Sequence, residues 1–136
     1  MLSHQLQTLD NEALVRRLKS ALLRGADVVY QRGFLRKGVG ICHGVAGNVY
    51  ALLAASDADS VNCEELFLKA VHLAGLATSH EDLTASKEMR TPDNPWSLFE
   101  GLAGACCVWA EILSRLNSTT FRRTSSGFPA FDDLLL

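Results

Sequence analysis

The sequence predicts an all-α fold made of repeated helical hairpins. Apolar residues recur at helical spacing in four segments, no segment has a convincing strand pattern, and a Gly-x-Ala-Gly string begins two of the four, at residues 44–47 and 101–104. These two strings are 57 residues apart. Because such a hairpin cannot bury its apolar helix alone, we expect it to stack on neighbours in a solenoid or a closed ring.

The first hairpin combines an amphipathic helix with an almost entirely apolar one. We predict the amphipathic helix over residues 10–30, with Asp10 as its N-cap and one face buried. A glycine-rich stretch leads to residues 45–55, which we expect to form a helix surrounded by protein. The predicted buried positions of the first helix are Leu14, Leu18, Ala21, Leu22 and Val29.

The second hairpin repeats this order. After a polar break, a third helix begins near Asn62, and Glu65 completes a capping-box pattern. The loop over residues 79–95 contains Pro92, Asp93 and Pro95 and cannot be helical throughout. An apolar fourth helix over 101–116 precedes a tail, 117–127, that we predict to be a mobile loop before an apolar end at 128–131. The third helix should turn inward Leu66, Phe67, Ala70, Leu73, Ala74 and Ala77.

Composition and charge exclude several classes of protein. The net charge is -2 and the pI is near 6.0, and the basic residues do not alternate with aromatics, so we expect no nucleic-acid partner. No uncharged apolar run approaches the roughly 18 residues that would cross a bilayer, which predicts a cytoplasmic protein that is not transmembrane. The four cysteines have no secretory context, so they are reduced thiols or metal ligands.

The chemistry-bearing residues concentrate at the start of the second helix. Cys42 and His43 are adjacent within a glycine-rich turn, and a thiolate and an imidazole are preferred zinc ligands. Taken by itself, such a pair in a loop is more often a buried thiol beside an ordinary histidine than a metal site. The remaining candidates are weaker. We expect core or partly buried positions for Cys63, Cys106 and Cys107, surface positions for His4, His72 and His80, and a helix-start role for Glu100.

Three strings of the sequence resemble, in the same order, the C-terminal region of lanthionine synthetase C-like (LanC-like) proteins. They are residues 40–50, 90–104 and 128–131, and the resemblance extends over about 25–131. It implies an α/α toroid of seven hairpins, of which residues 1–136 supply the last two as an incomplete ring and a partial domain.

The resemblance also implies a zinc site. In the family, zinc is held by a cysteine from an earlier Cys-His-Gly string and by an adjacent pair that corresponds to Cys42 and His43, with a fourth position open. Members bind glutathione or close thioether rings, adding a thiol to dehydroamino acids in peptides or proteins. Some are peripheral at the plasma membrane.

Five further residues correspond by motif position to glutathione contacts of the family. Lys37 and Arg90 are expected to pair with the carboxylates of glutathione, while Asp93 accepts from its ammonium group. The alternative for each of these residues is an exposed charge on a loop without a ligand. A sugar-cleaving enzyme with paired carboxylates is a further alternative, but it would leave Cys42 unexplained. The full set is Lys37, Arg90, Thr91, Pro92 and Asp93.

The sequence departs from the family in lacking the first zinc-ligating cysteine. We therefore expect an incomplete zinc site and a chain that is active only when the rest of the ring is supplied, so enzyme activity stays open. The alternative is a non-catalytic helical interaction module or a truncated remnant. In either case the inner faces of residues 45–53 and 102–113 should be exposed, which invites a protein partner.

Overall fold

The computed structural model describes residues 2–117 and residue 128, with side chains described from residue 11 onward. The described residues contain helices and turns and no strand, which confirms the predicted all-α class. Residues 118–127, predicted to be a mobile loop, lie outside the described part. The elements are α1 (Leu2–Arg32), α2 (Val45–Ala58), α3 (Cys63–Leu76), a single 3-10 turn (Ala77–Ser79), α4 (His80–Ala85) and α5 (Leu102–Leu116).

The core is centred on α2, which contacts α1, α3 and α5. Val45, Val49 and Leu52 of this helix are fully buried, and Phe67 of α3 is 1% exposed. All six residues of α3 and its C-terminal end that the sequence placed inward are buried, as predicted. Phe128 adds to this core from beyond α5, because its ring lies 5.0 Å from that of Tyr50.

The expected exposure of both inner helices is wrong for α2 and correct for α5. On α2 the large apolar side chains are covered by α3 and its other neighbours, and the solvent-facing positions hold mainly alanines. On α5, Leu113 and Leu116 are 60% and 45% exposed. Cys106 also faces solvent there, so its predicted core position is wrong, whereas Cys63 and Cys107 are partly buried.

Helix α1 is longer and less buried than the amphipathic pattern predicted. It spans 31 residues, roughly 46 Å, whereas the 14 residues of α2 or α3 span roughly 21 Å. Its first half therefore extends past these neighbours, and Leu14 and Leu18 are 51% and 60% exposed. Among the side chains described from residue 11 onward, those of the second half pack against the core, through Ala26, Leu22 and Val29.

The two Gly-x-Ala-Gly strings form the same structure at the starts of α2 and α5. Gly44 and Gly101 are the N-cap residues, with φ/ψ of -117°/-167° and -118°/-159°. A Cβ on either would overlap a carbonyl oxygen six residues earlier, that of Gly38 or Pro95. The repeat predicted from the sequence is thus a repeat of backbone packing.

The second glycine of each string has an equivalent contact. A Cβ on Gly47 would overlap the carbonyl of Ile41, and one on Gly104 would overlap that of Leu98, again six residues earlier. The loops also contact each other, since Gly40 lies against the backbone of Glu100. The two helix starts are therefore a single interlocked unit.

At the opposite end, α2 and α5 are joined by a buried ion pair network. Arg115 is 4% exposed, and its guanidinium donates to Glu111 at 2.6 Å and to both carboxylate oxygens of Asp57 at 2.8 and 3.0 Å. Burial lowers the pKa of Arg115, but the bonds to Asp57 and Glu111 outweigh it and leave the pKa raised. The cation is thus retained and fully paired.

The first prediction concerns the helix starts. Gly47→Ala should lower the free energy of unfolding by at least about 1–3 kcal/mol, because a rigid backbone carbonyl occupies the place of the new methyl group. Gly25→Ala is the matched control: this helical glycine has no neighbouring atom within 4 Å, so alanine should raise stability by about 0.5–1 kcal/mol. Urea unfolding measures both, and equal effects would contradict the packing role of Gly47.

A second prediction concerns the buried network. Arg115→Met should destabilise the fold by about 3–5 kcal/mol, because it leaves the buried carboxylate of Glu111 without its cation. Arg16→Met removes an exposed pair with Glu12 that has the same four-residue spacing, at 3.7 Å, and should change the free energy of unfolding by less than about 1 kcal/mol. Similar losses for the two variants would argue against the network.

Candidate functional site

Cys42 and His43 lie in the turn directly before α2. Their Sγ and Nδ1 atoms are 2.6 Å apart, and both residues are exposed. The two donor atoms are thus in hydrogen-bond contact at the surface. Tetrahedral zinc bound to both, at about 2.3 and 2.0 Å, would hold them roughly 3.5 Å apart, so a shared ion requires a small rotation of one side chain. The exposure of Cys42 does not fit the alternative interpretation of a buried structural thiol.

The backbone of this turn is held by the interlocked helix starts. The N–H of Cys42 donates to the carbonyl of Phe99 at 2.9 Å, and the preceding Ile41 is 4% exposed and packs against Gly104. On the other side Gly44 is buried. Cys42 and His43 thus project outward from a segment that is anchored at both ends.

The donor set is incomplete within the part of the chain that the structure describes. There, no group of three or more His, Cys, Asp or Glu side chains could hold a metal ion. A catalytic zinc site needs about three protein ligands and one open position. Cys42 and His43 have the right chemistry for zinc and would account for two of these ligands.

A cleft of about 570 Å³ adjoins this pair, and we call it the basic cleft. Its wall brings together Lys37 and Arg90, two of the predicted glutathione contacts, with His43. Both cations are exposed, and neither forms an ion pair with a described residue. The complete lining is Leu35, Arg36, Lys37, His43, Lys87 and Arg90.

Two cations of the basic cleft, Arg36 and Lys87, were not among the predicted binding residues. Arg36 donates to the carbonyls of Glu88 at 2.8 Å and Lys87 at 3.1 Å, and its own carbonyl accepts from Arg90 at 2.7 Å. These bonds hold the segment before the cleft against the segment after α4. Lys87 has a φ of 62°, and its side chain is exposed without an ion pair in the described residues.

The other three predicted contacts do not line the basic cleft. Thr91 and Pro92 line a second cavity, of about 490 Å³, on the other side of Arg90. Asp93 is exposed and lines neither cavity. We call the second cavity the apolar pocket; much of its wall is formed by Val39, Met89, Pro92, Pro95, Trp96 and Leu102.

Two other residues differ from their predicted roles. Glu100 is not a helix-start acid, since it accepts from the backbone N–H and the side chain of Asn94 at 3.2 and 2.9 Å and so closes the preceding turn. His80 was expected at the surface but is half-buried. Its Nδ1 atom is buried and has no hydrogen-bond partner among the described residues. His72 is exposed, as predicted, and meets the Tyr30 hydroxyl at 2.7 Å.

Over residues 2–117, no helix combines the length and the apolar character that crossing a bilayer requires.

Comparison with known proteins identifies relatives along most of the chain. The sequence model for lanthionine synthetase C-like proteins matches residues 1–125. The chain is 37% identical over 99 residues to the glutathione S-transferase LANCL1 of Danio rerio and 32% identical over 105 residues to the LanC-like protein GCL1 of Arabidopsis thaliana. These alignments cover 73% and 76% of this chain, but only 23% of the length of each relative.

Proposed function

The chain belongs to the lanthionine synthetase C-like family, and we propose that it forms the thiol-binding end of a zinc-dependent enzyme that adds glutathione or a peptide thiol to dehydroamino acids. The convergence of Cys42 Sγ and His43 Nδ1 at 2.6 Å, at the edge of the basic cleft, carries this proposal. A relative named glutathione S-transferase supports the substrate.

The chemistry of the site suits a thiol with carboxylate groups. Bound zinc would lower the pKa of a ligand thiol and so supply a thiolate at neutral pH. Lys37 and Arg90 lie in the same wall as His43, and they are free to bind the two carboxylates of glutathione. In the addition, the thiol sulfur loses its proton and bonds to the β-carbon of the dehydroamino acid, the π bond between the α- and β-carbons breaks, and the α-carbon takes up one proton.

Lys37 and Arg90 differ in what they offer a carboxylate. The planar guanidinium of Arg90 can donate two parallel hydrogen bonds, and its backbone is fixed by the bond from Arg90 N–H to Arg36. The ammonium of Lys37 is a compact charge on a flexible stem. Arg90 should therefore orient the ligand, while Lys37 adds attraction that depends on ionic strength.

The third zinc ligand is proposed to come from a segment of the ring that this sequence does not contain. The chain covers 23% of its relatives, which leaves most of their length to supply it. The alternative function is a non-catalytic helical module that binds a protein. The exposure of Leu113 and Leu116 on α5 favours that alternative, because these side chains would be covered by a partner.

The zinc proposal predicts thiolate coordination by Cys42. Titration with cobalt(II), a spectroscopic substitute for zinc, should give a thiolate-to-metal charge-transfer band that Cys42→Ala abolishes. Cys106→Ala is the matched control, because Cys106 is also exposed but has no adjacent histidine. After dialysis against zinc, the unsubstituted protein and Cys106→Ala should contain zinc, and Cys42→Ala should not. No band in the unsubstituted protein at high protein concentration would leave the non-catalytic module as the function of this chain.

The glutathione proposal predicts that both cations contribute to affinity. Lys37→Gln and Arg90→Gln should each weaken glutathione binding by about tenfold in isothermal titration calorimetry, since each loses a charge-assisted hydrogen bond. Added salt should weaken binding to the unsubstituted protein more than to either variant. Arg17→Gln, a change at an exposed arginine of α1 far along the chain from the cleft, should leave the affinity unchanged. Equal losses in all three variants would refute a specific site.

A further inference from the structure

The apolar pocket is a ligand-sized cavity that shares Arg90, Thr91 and Pro92 with the predicted glutathione contacts. Its volume of about 490 Å³ is within the range of small-molecule sites, roughly 300–1,000 Å³. Val39 and Met89 in its wall are 5% and 4% exposed, so this part of the wall belongs to the core. His80, Glu81 and Thr84 also line the cavity, so the preference for an uncharged group belongs to the side of the wall formed by Val39 and Met89.

Trp96 stands at the edge of the apolar pocket and is 77% exposed. Its position is fixed by the turn around it, in which Ser97 N–H donates to Asn94 at 3.1 Å and Leu102 N–H donates to Pro95 at 2.8 Å. The hydrogen bonds from Asn94 to Glu100 close the same turn. A large aromatic ring is thus held in solvent on a rigid backbone, ready to stack on a flat apolar group.

Arg90 connects the two cavities, because it lines both the basic cleft and the apolar pocket. The opposite segment behaves in the same way: Lys37 lines the cleft, and the next two residues, Gly38 and Val39, line the pocket. A ligand whose carboxylate is bound by Arg90 therefore has the apolar pocket directly beside it.

We propose that the apolar pocket binds an aromatic or branched aliphatic group of the electrophile that receives the thiol, and hence the same group when it is attached to sulfur in the thioether product. Trp96 stacks on this group, and the buried wall around Met89 excludes water from it. The inference rests on the proposed function, because it requires a thiol ligand in the basic cleft.

The test compares two thioethers that differ only in the group on sulfur, S-methylglutathione and S-benzylglutathione. By isothermal titration calorimetry, the protein should bind the benzyl compound about tenfold more tightly, which corresponds to partial burial of one phenyl ring. Trp96→Ala removes the stacking partner, and Ala85→Trp fills the pocket from its exposed wall. Each should bring the two affinities to within about twofold of each other while leaving that for S-methylglutathione unchanged.

Val61→Ala is the matched control, since Val61 is 81% exposed and belongs to neither cavity. It should retain the full preference for the benzyl compound. Equal affinities of the unsubstituted protein for the two thioethers would overturn the inference and leave the glutathione proposal intact. If S-methylglutathione and glutathione both fail to bind, the proposed function falls, and the inference falls with it.

Discussion

The close approach of backbone to backbone at the starts of α2 and α5 is the constraint on which the rest of the structure depends. Each helix begins where two glycines let a loop carbonyl occupy the space of a side chain, and the two loops meet where Gly40 lies against Glu100. This contact fixes the relative position of the inner helices at one end, and the buried network of Arg115 fixes it at the other. Cys42, two residues after Gly40, is held in place by the same contact through its hydrogen bond to Phe99.

The same contact determines how an anion can bind. The first N–H groups of α2 are already used, because Val45 and Ala46 donate to the carbonyls of Gly38 and Val39 at 3.1 and 3.2 Å. The partial positive charge at the start of α2 therefore interacts with carbonyl oxygens of the protein's own loop. A carboxylate bound near the start of α2 would therefore be recognised by side chains rather than by the helix backbone. The cations of the basic cleft are such side chains, and they come from the loops around the helix start.

Much of the local structure could be predicted from the sequence, because it depends on periodicity and on glycine. The inward face of α3, the two helix starts and the adjacent donor pair all follow from residues near one another in the chain. Lys87 could not be predicted in this way, because nothing local indicates that Arg36 will bind its carbonyl from 51 positions away. The prediction that Leu14 is buried was wrong for a similar reason. Amphipathic spacing indicates which face of a helix is apolar, but not which element covers that face.

The distribution of charge distinguishes the basic cleft from the remaining surface. Inside the fold, cations are neutralised: Arg115 is paired with two carboxylates, and the hydrogen bonds that Lys69 donates to Asp27 and Glu65 raise its pKa. In the basic cleft, by contrast, Lys37, Lys87 and Arg90 line one cavity without an acidic partner among the described residues. Like charges held together repel each other, so a bound anion would relieve a cost that the folded chain already carries.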